Sequence, residues 1–194
     1  MGEQKRMGGR PRDAEAAGAI KAATLKLLRE NGYGAVSIAA IAAEAGVARQ
    51  TLYNRWNAKA DLVLDALYEE TGRYAAAPLT ECGLSFAAQL EAFLVQVFDH
   101  LTEGGGPVRS LIAAAQEDPA FRKVFKERFV RPREQMITDI LARARQCGEL
   151  AADRDIGMLS AFVHGAFWYA LLNDDPMDAA FAHAITTEVF RKNG

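Results

Sequence analysis

A short stretch near the amino terminus concentrates side chains that can read nucleic acid. Arg49, Gln50, Tyr53 and Asn54 lie close together in the sequence, and a helix would place them on one outward face. Guanidinium and amide groups pair with base edges in the major groove of DNA, and a phenol can reach a phosphate oxygen. This set on one short helix is typical of a DNA recognition helix.

The residues around this face predict the helices that hold it. Apolar side chains recur before it at intervals of three and four residues, as on one face of an α-helix. They are Ile38, Ile41, Ala42 and Ala45. Gly46 follows at once, where helices commonly end in a left-handed residue, and Val47, Leu52 and Trp56 after it can point inward. Residues 37–59 therefore predict a short helix, a tight turn and a second short helix, with a third helix beginning at their end.

Charge is divided unevenly along the chain. Residues 1–60 carry ten Lys and Arg against five Asp and Glu, a balance of +5, whereas the remaining residues carry 13 against 20, a balance of −7. A basic amino-terminal third joined to an acidic remainder is the asymmetry expected when one domain meets a polyanion. The charge pattern therefore agrees with a DNA-binding role for the first third.

Several other function classes find no support in the sequence. Cys82 and Cys147 are isolated, so we expect neither a disulfide framework nor a metal site. The sequence has no Gly-rich phosphate loop, no HExxH and no nucleophile elbow, which argues against an enzyme and against a bound cofactor. The amino terminus lacks the apolar segment of a signal peptide, and the longest apolar run, residues 161–172, is too short to span a bilayer. We expect a soluble, cytoplasmic protein.

Residues 1–12, MGEQKRMGGRPR, are basic and Gly-rich without apolar periodicity, which predicts a disordered arm. Arg10 and Arg12 could lie in a DNA minor groove, where the negative potential attracts Arg. An ordinary flexible terminus is the alternative, and composition leaves both open.

The rest of the chain predicts an all-α protein of about nine helices. Asp13 is expected to cap the first helix, which ends at Asn31-Gly32. Later helices are expected at about residues 58–74, 86–101, 108–116, 119–147 with a kink near Pro132, 153–173, and from Pro176 or Asp178 to about 192. The predicted organisation is an arm (1–12), a helix-turn-helix domain (13–60) and a helical carboxy-terminal domain (61–194).

Residues 32–62 also resemble the DNA-binding domain of the tetracycline-repressor (TetR) family. The resemblance rests on seven features at the family's spacing, without gaps. They are Gly32-Tyr33, Ile41-Ala42, Ala45-Gly46-Val47, Thr51-Leu52-Tyr53, Trp56, Lys59 and Leu62. The resemblance implies the family's fold, with a helical ligand-binding and dimerisation domain after the DNA-binding domain.

The family resemblance implies roles for individual residues. Ser37 is expected to cap the second helix and touch a phosphate, and Tyr53 and Lys59 match phosphate-contact positions. Arg49, Gln50, Thr51 and Asn54 occupy positions that face base edges. Three alanines depart from the pattern, because many members carry polar groups at Ala39, Ala48 and Ala58. We therefore expect fewer helix-to-phosphate contacts, with the arm supplying some of the remainder.

A single helix-turn-helix binds a short DNA site with low affinity, so such modules usually bind two half-sites as dimers. The last two helices are the expected interface, as in the family, where two helices from each subunit form a four-helix bundle. Phe162 is expected to supply apolar area to this interface. The candidate interface residues are Ala161, Gly165, Tyr169, Leu172, Phe181, Ile185 and Val189. For most of these residues taken singly, a place in the subunit's own core is the alternative.

The resemblance also implies a pocket for a small-molecule effector in the carboxy-terminal domain. The candidate walls are Phe86, Phe93, Val97, Phe98, Leu111, Phe125, Phe129, Met136 and Ile140, with Phe162 and Trp168 closing the pocket. His100 and His164 are candidate polar anchors. Apolar side chains at helical spacing are equally typical of plain core. The ligand is expected to be largely apolar, and its identity is unknown.

These observations together indicate a ligand-responsive transcription regulator that binds a palindromic operator as a homodimer. Repression is the usual mode of the family. The expected partners are double-stranded DNA, a second copy of the chain and an unknown small-molecule effector, with no membrane. The alternative is a helical binding or interaction module that does not bind DNA.

Overall fold

The computed structural model describes residues 10–75, 83–104 and 106–191, and these form nine helices with no strand. The helices are α1 (Arg10–Ala35), α2 (Ile38–Glu44), α3 (Arg49–Tyr53), α4 (Lys59–Ala75), α5 (Phe86–Gly104), α6 (Gly106–Glu117), α7 (Pro119–Phe125, Lys126–Val130 and Arg131–Gln146), α8 (Ile156–Asn173) and α9 (Ala179–Val189). The all-α prediction is confirmed. Residues 1–9 of the predicted arm lie outside the described residues, as does Cys82.

Side-chain carboxylate or hydroxyl groups cap the first turns of α2, α7, α8 and α9. The side chains of Ser37, Asp118, Asp155 and Asp178 each accept a hydrogen bond from a backbone N–H of the first turn. Asp155 caps α8, which begins at Ile156, three residues later than the predicted start at residue 153. The first helix instead begins earlier, at Arg10 rather than after Asp13.

The predicted end of α1 appears as a kink. Gly32 has φ +72° and ψ 167°, which no helix accommodates, but helical hydrogen bonding resumes beyond it as far as Ala35. Only Gly adopts this conformation cheaply. The kink turns Tyr33 toward α6 and α7, where its N–H donates to Ser110 Oγ (3.3 Å) and its ring stacks on Phe121 with centroids 4.3 Å apart.

The expected kink of the long helix near Pro132 takes the form of a π-helical turn. Lys126–Val130 is π-helical, and the Arg131 N–H donates to the carbonyl of Lys126, five residues back. Pro132 follows in the first turn of the next segment, where its missing N–H removes the least bonding. A π turn inside a helix often marks a functional site.

Two apolar cores hold the helices together. The first joins α1–α4 to α6 and the start of α7, and Val36, Leu62, Leu111 and Phe121 are among its buried members. The second joins α5, the end of α7, α8 and α9. The first core therefore continues across residue 60, where the sequence indicated a domain boundary, and links α1–α4 directly to α6 and α7.

Within the described chain, α8 is long and apolar enough to cross a membrane by length and composition. It spans 18 residues, more than the apolar run recognised in the sequence. The core helix of a globular protein passes the same test. One face of α8 packs on α7 and α9, and 33% of the helix is buried.

Candidate nucleic-acid interface and apolar cavity

The turn between α2 and α3 has the geometry that the sequence predicts. Gly46 has φ +66°, its N–H donates to the carbonyl of Ala43 (3.2 Å), and the Val47 N–H donates to the carbonyl of Ala42 (3.0 Å). These two bonds form a Schellman motif, which satisfies carbonyls at the end of α2. The turn therefore fixes the direction in which the chain enters α3.

The outward face of α3 carries the predicted polar side chains. Leu52, 1% exposed, anchors the helix in the first core, while Arg49, Gln50, Tyr53 and Asn54 are exposed and Thr51 is half-buried. Gln50 Nε2 donates to Asn54 Oδ1 at 2.9 Å, one helical turn away. This bond holds the two amides side by side and leaves other donors and acceptors on each for base edges.

The start of α2 lies at the protein surface beside α3. Ser37 is exposed, and its Oγ accepts a hydrogen bond from the Ala40 N–H at 3.1 Å, so it caps α2 as predicted. Ala48, at the corresponding position of α3, makes no side-chain cap bond. Alanine at this position therefore leaves the start of α3 without a side-chain cap.

Lys59 has partners inside the protein. Its ammonium donates to the carbonyls of Tyr33 (2.9 Å) and Val36 (3.0 Å) and lies 4.0 Å from the centre of the Tyr33 ring. Burial lowers its pKa below the usual value. Lys59 thus ties the loop before α2 to the start of α4, and because an ammonium has three donors, one remains for the predicted phosphate contact.

We predict that Lys59→Met destabilises the DNA-binding helices. The variant would leave two carbonyls with fewer partners, and an unsatisfied buried acceptor costs about 1–3 kcal/mol. Urea unfolding followed by tryptophan fluorescence measures the change. Lys26→Met is the matched control, since its ion pair with Glu44 lies at the surface, where such pairs contribute little to stability. Equal unfolding midpoints for the two variants would contradict the structural role of Lys59.

A polar network secures the end of α3 against α1 and α4. Trp56 Nε1 donates to Asp65 Oδ2 at 3.0 Å, and the Lys21 ammonium lies 3.0 Å from the same oxygen and 2.7 Å from Glu69 Oε2. Burial alone would raise the pKa of Asp65, but hydrogen bonds from Lys21 and Trp56 outweigh it and the pKa is lowered. The carboxylate is therefore ionised and holds three elements together.

A small apolar cavity of about 50 Å³ lies where α5, α6, α7 and α8 meet. Phe93, Val97, Phe129 and Trp168, all candidates from the sequence, line it. Four other candidates lie elsewhere: Phe98, Leu111 and Phe125 are packed in the cores, and Phe162 is exposed on α8. Phe86, Met136 and Ile140 are half-buried and also lie outside this cavity.

Two polar side chains line the same cavity. His164 was a candidate anchor in the sequence, but Arg133 was missed. The Arg133 guanidinium lies 3.7 Å from the centre of the Phe129 ring and donates to the Phe129 carbonyl at 2.8 Å. Burial lowers its pKa to about 10. Its position, four residues after Phe129 and four before Ile137, is the signal that places it on the buried stripe of α7.

A shallower groove of about 220 Å³ adjoins the cavity on the side of α8. Val130, His164 and Trp168 line both spaces, while Glu134, Ala161 and Gly165 line only the groove. These three shared side chains therefore lie between the cavity inside the carboxy-terminal helices and the groove on the face of α8.

The exposed face of α8 is a continuous apolar stripe. Its large residues are spaced by four, seven and three positions, which aligns them on one side of the helix. They are Met158 (69% exposed), Phe162 (45%), Tyr169 (68%) and Leu172 (53%). The small residues Ala161 and Gly165 are exposed beside them. Soluble monomers seldom expose such a surface.

The predicted interface residues of α9 lie elsewhere. Ile185 and Val189 are 3% and 0% exposed in the core of their own subunit, and Phe181 is half-buried against Phe98. They therefore cannot serve as the outer face of α9, because the apolar side of this short helix is used by the core. The exposed side carries Ala180, Ala184 and Thr187 instead.

Comparison with known proteins agrees with this geometry. The family model "Bacterial regulatory proteins, tetR family" matches residues 20–66, and "Tetracyclin repressor-like, C-terminal domain" matches residues 83–189. With the exposed recognition helix, these matches define a helix-turn-helix transcription regulator. The chain belongs to the TetR family.

Curated relatives cover most of the chain. "Uncharacterized HTH-type transcriptional regulator YdeS" of Bacillus subtilis (strain 168) is 30% identical over 191 residues, covering 94% of this chain and 92% of its own length. "Uncharacterized HTH-type transcriptional regulator Rv1556" of Mycobacterium tuberculosis (strain ATCC 25618 / H37Rv) is 32% identical over 143 residues, covering 73% and 67%. Both relatives are transcription regulators.

Solved structures share the fold. The TetR family regulator SCO0332 superposes with a TM-score of 0.72 at 28% identity, covering 91% of this chain and 97% of its own. FadR of Bacillus subtilis, solved in complex with stearoyl-CoA, superposes with a TM-score of 0.73 at 19% identity, covering 91% and 98%. The second likeness concerns the fold alone.

Proposed function

We propose that this TetR family regulator is a repressor that binds a palindromic operator as a homodimer and is released by a largely apolar small molecule. The observation that carries the proposal is the face of α3. Arg49, Gln50 and Asn54 are exposed together on a helix that Leu52 and the Gly46 turn hold in one orientation. A fixed row of such side chains is what direct readout of bases requires.

The proposed contacts divide into two kinds. Arg49, Gln50, Thr51 and Asn54 read base edges, with Arg49 suited to guanine and Gln50 to adenine. Phosphates are held by Ser37, Tyr53 and the remaining donor of Lys59, together with Arg10 and Arg12 at the start of α1. The base contacts would provide sequence selectivity, and the phosphate contacts most of the affinity.

The proposed dimer forms through the exposed stripe of α8 and the small-residue side of α9. Gly165 and Ala161 allow a partner helix to approach closely, while Phe162, Tyr169 and Leu172 supply apolar area. Ala180, Ala184 and Thr187 replace the buried α9 residues in this interface. Two recognition helices related by a two-fold axis would then meet two half-sites of an inverted repeat.

The proposed release mechanism is a shift between two dimer states with different separations of their recognition helices. The cavity is lined by Phe129 and Val130 of the π turn, and Arg128 of the same turn pairs with Asp61 in the first turn of α4 at 2.6 Å. A ligand that displaced the π turn would therefore also displace α4 through the Arg128–Asp61 ion pair. FadR, which shares the fold, holds stearoyl-CoA, and this supports an effector cavity in the carboxy-terminal helices.

DNA binding tests the proposal first. An electrophoretic shift assay with DNA from upstream of the protein's own gene should show sequence-selective binding by the ligand-free protein. Log affinity should fall linearly with log salt, with a slope of about −0.9 for each phosphate contacted. Absence of selective binding at low salt would instead favour a helical interaction module that does not bind DNA.

A further inference from the structure

Two amide side chains on the exposed face of α3 form a pair. Gln50 Nε2 donates to Asn54 Oδ1 at 2.9 Å, and both side chains are exposed. In the part of the chain that the structure describes, neither side-chain amide has another hydrogen-bond partner. Both residues belong to the proposed base-reading set, so the bond between them bears on what each can read.

The backbone of α3 sets the spacing of the pair. Residues four apart lie one turn apart on the same side of a helix, where amide–amide bonds are favourable. The Asn54 N–H donates to the Gln50 carbonyl at 3.0 Å, and Leu52, 1% exposed, holds the turn between them against the core. The shorter side chain of Asn54 therefore offers its oxygen to Gln50 from a fixed backbone position.

The bond leaves Gln50 with the groups that adenine requires. A glutamine amide has one oxygen acceptor and two N–H donors, and one of the N–H groups of Gln50 is directed to Asn54. The oxygen and the second N–H remain. Adenine presents the N6 donor and the N7 acceptor in the major groove, and a glutamine pairs with both through these two groups. The bond within the protein and a bidentate contact to adenine are therefore compatible.

The same bond opposes a reversed orientation of the Gln50 amide. An unrestrained glutamine amide turns about its last side-chain torsion, which has two broad wells, and exchanges the places of its oxygen and nitrogen. Guanine presents acceptors at both N7 and O6. A reversed amide can donate to guanine O6, whereas an amide in the orientation that suits adenine places its oxygen against that acceptor. Fixing the amide therefore favours adenine over guanine.

DNA binding should strengthen the bond between the two amides. Water competes for both groups while they are exposed in the free protein, and a hydrogen bond becomes stronger where the surroundings are less polar. The bond also orders the long side chain of Gln50 before binding, which lowers the entropic cost of the contact. Asn54 can therefore affect both the affinity and the selectivity of the Gln50 contact.

We infer that Asn54 is a positioning residue for Gln50: it selects the orientation of the Gln50 amide, so that the two residues read adenine as one unit. This inference rests on the proposed function, because it concerns the same recognition face. It adds a dependence that a list of separate base contacts does not contain, since the adenine preference at the position read by Gln50 then requires the oxygen of Asn54.

Affinities for operators altered one base pair at a time, measured by fluorescence anisotropy, test the inference. Gln50→Ala first identifies the position that Gln50 reads, because the adenine preference there disappears. We expect Asn54→Ala to lower the preference for adenine over guanine at that position by about tenfold, with no further effect there in the Gln50→Ala background. Asn54→Asp keeps the acceptor and should restore the preference, although its carboxylate weakens binding to all sequences through repulsion by phosphates.

The matched control is Asn57→Ala, which removes another exposed amide just beyond α3 that does not bond to Gln50. It should leave the adenine preference unchanged, and the position read by Arg49 should keep its preference in every Asn54 variant. An unchanged adenine preference in Asn54→Ala would overturn the inference. So would a preference lost in Asn54→Ala and not restored in Asn54→Asp, or a loss confined to a different operator position.

The order of the Gln50 amide in the DNA-free protein gives a second readout. NMR relaxation of this amide should show greater motion in Asn54→Ala and parent-like order in Asn54→Asp, and equal order in all three proteins would overturn the inference. Selective operator binding that is indifferent to Asn54 retains the proposed function and overturns the inference alone. Absence of selective binding by the parent protein contradicts the proposed function, and with it the reading of adenine.

Discussion

Phe162→Glu combined with Tyr169→Glu should convert the protein to a monomer and lower its operator affinity by about a hundredfold or more. Both side chains lie on the exposed apolar stripe of α8, and four carboxylates would meet across a two-fold interface without counter-charges. Joining two DNA-binding modules raises apparent affinity by about 10²–10⁴ through effective concentration alone. Sedimentation equilibrium gives the mass, and fluorescence anisotropy with the operator gives the affinity.

The control for the dimer prediction is Ala113→Glu, which adds a carboxylate to an exposed position of α6 outside the proposed interface. This variant should keep the mass and operator affinity of the parent protein. A double variant that remains a dimer, or that loses operator binding while remaining dimeric, would contradict the interface proposed here.

Arg49→Ala should lower operator affinity and relax its sequence preference. A bidentate arginine–guanine contact contributes about 1–3 kcal/mol of discrimination, and a dimer makes the contact twice, so we expect a loss of about two to four orders of magnitude. Binding to operators altered one base pair at a time measures the effect. The preference should disappear at one symmetric pair of positions and persist at the others.

Two further variants distinguish a base contact of Arg49 from a phosphate contact. Tyr53→Phe removes a proposed phosphate contact and should weaken binding to all sequences alike, because phosphates carry no sequence information. Arg145→Ala removes an exposed arginine from the end of α7 and should leave DNA binding unchanged. If Arg49→Ala weakened binding uniformly, as expected for Tyr53→Phe, then Arg49 would contact the backbone and another residue would read the bases.

The DNA-binding helices could be predicted from sequence because their determinants are local. The Gly46 turn depends on one glycine after a helical run, and Ser37 caps the helix that it precedes. The outward face of α3 follows from the 3.6-residue period once Leu52 is assigned inward. Lys59 shows the limit of local reasoning: its partners, the carbonyls of Tyr33 and Val36, lie more than twenty residues away and become visible only in the folded chain.

The carboxy-terminal helices were less predictable because apolar periodicity does not distinguish a core from an interface. In α8 both kinds of surface are apolar, so the sequence predicted Phe162 both for the interface and for the pocket, and only its exposure in the folded chain distinguishes the two. In α9 the interface prediction was wrong, because Ile185 and Val189 fill the subunit's own core. The side facing outward there carries alanines, which give no periodic signal.

The lining of the cavity was hard to predict because it includes an arginine, a residue type that sequence patterns rarely place inside a protein. An arginine on a helix is usually solvated, and Arg133 is drawn inward because it falls on the stripe of Phe129 and Ile137 and can stack on an aromatic ring. The π turn at Lys126–Val130, which changes the register of α7, also has no local sequence signal beyond Pro132.

Selection of operators from random double-stranded DNA tests the central claim most directly. We expect the ligand-free protein to enrich an inverted repeat whose half-sites are one helical turn, about 10–10.5 base pairs, or a multiple of it apart. The same selection with Arg49→Ala should lose information at one symmetric pair of positions. Enrichment of no sequence, or of a single site without two-fold symmetry, would contradict a dimeric, sequence-reading regulator.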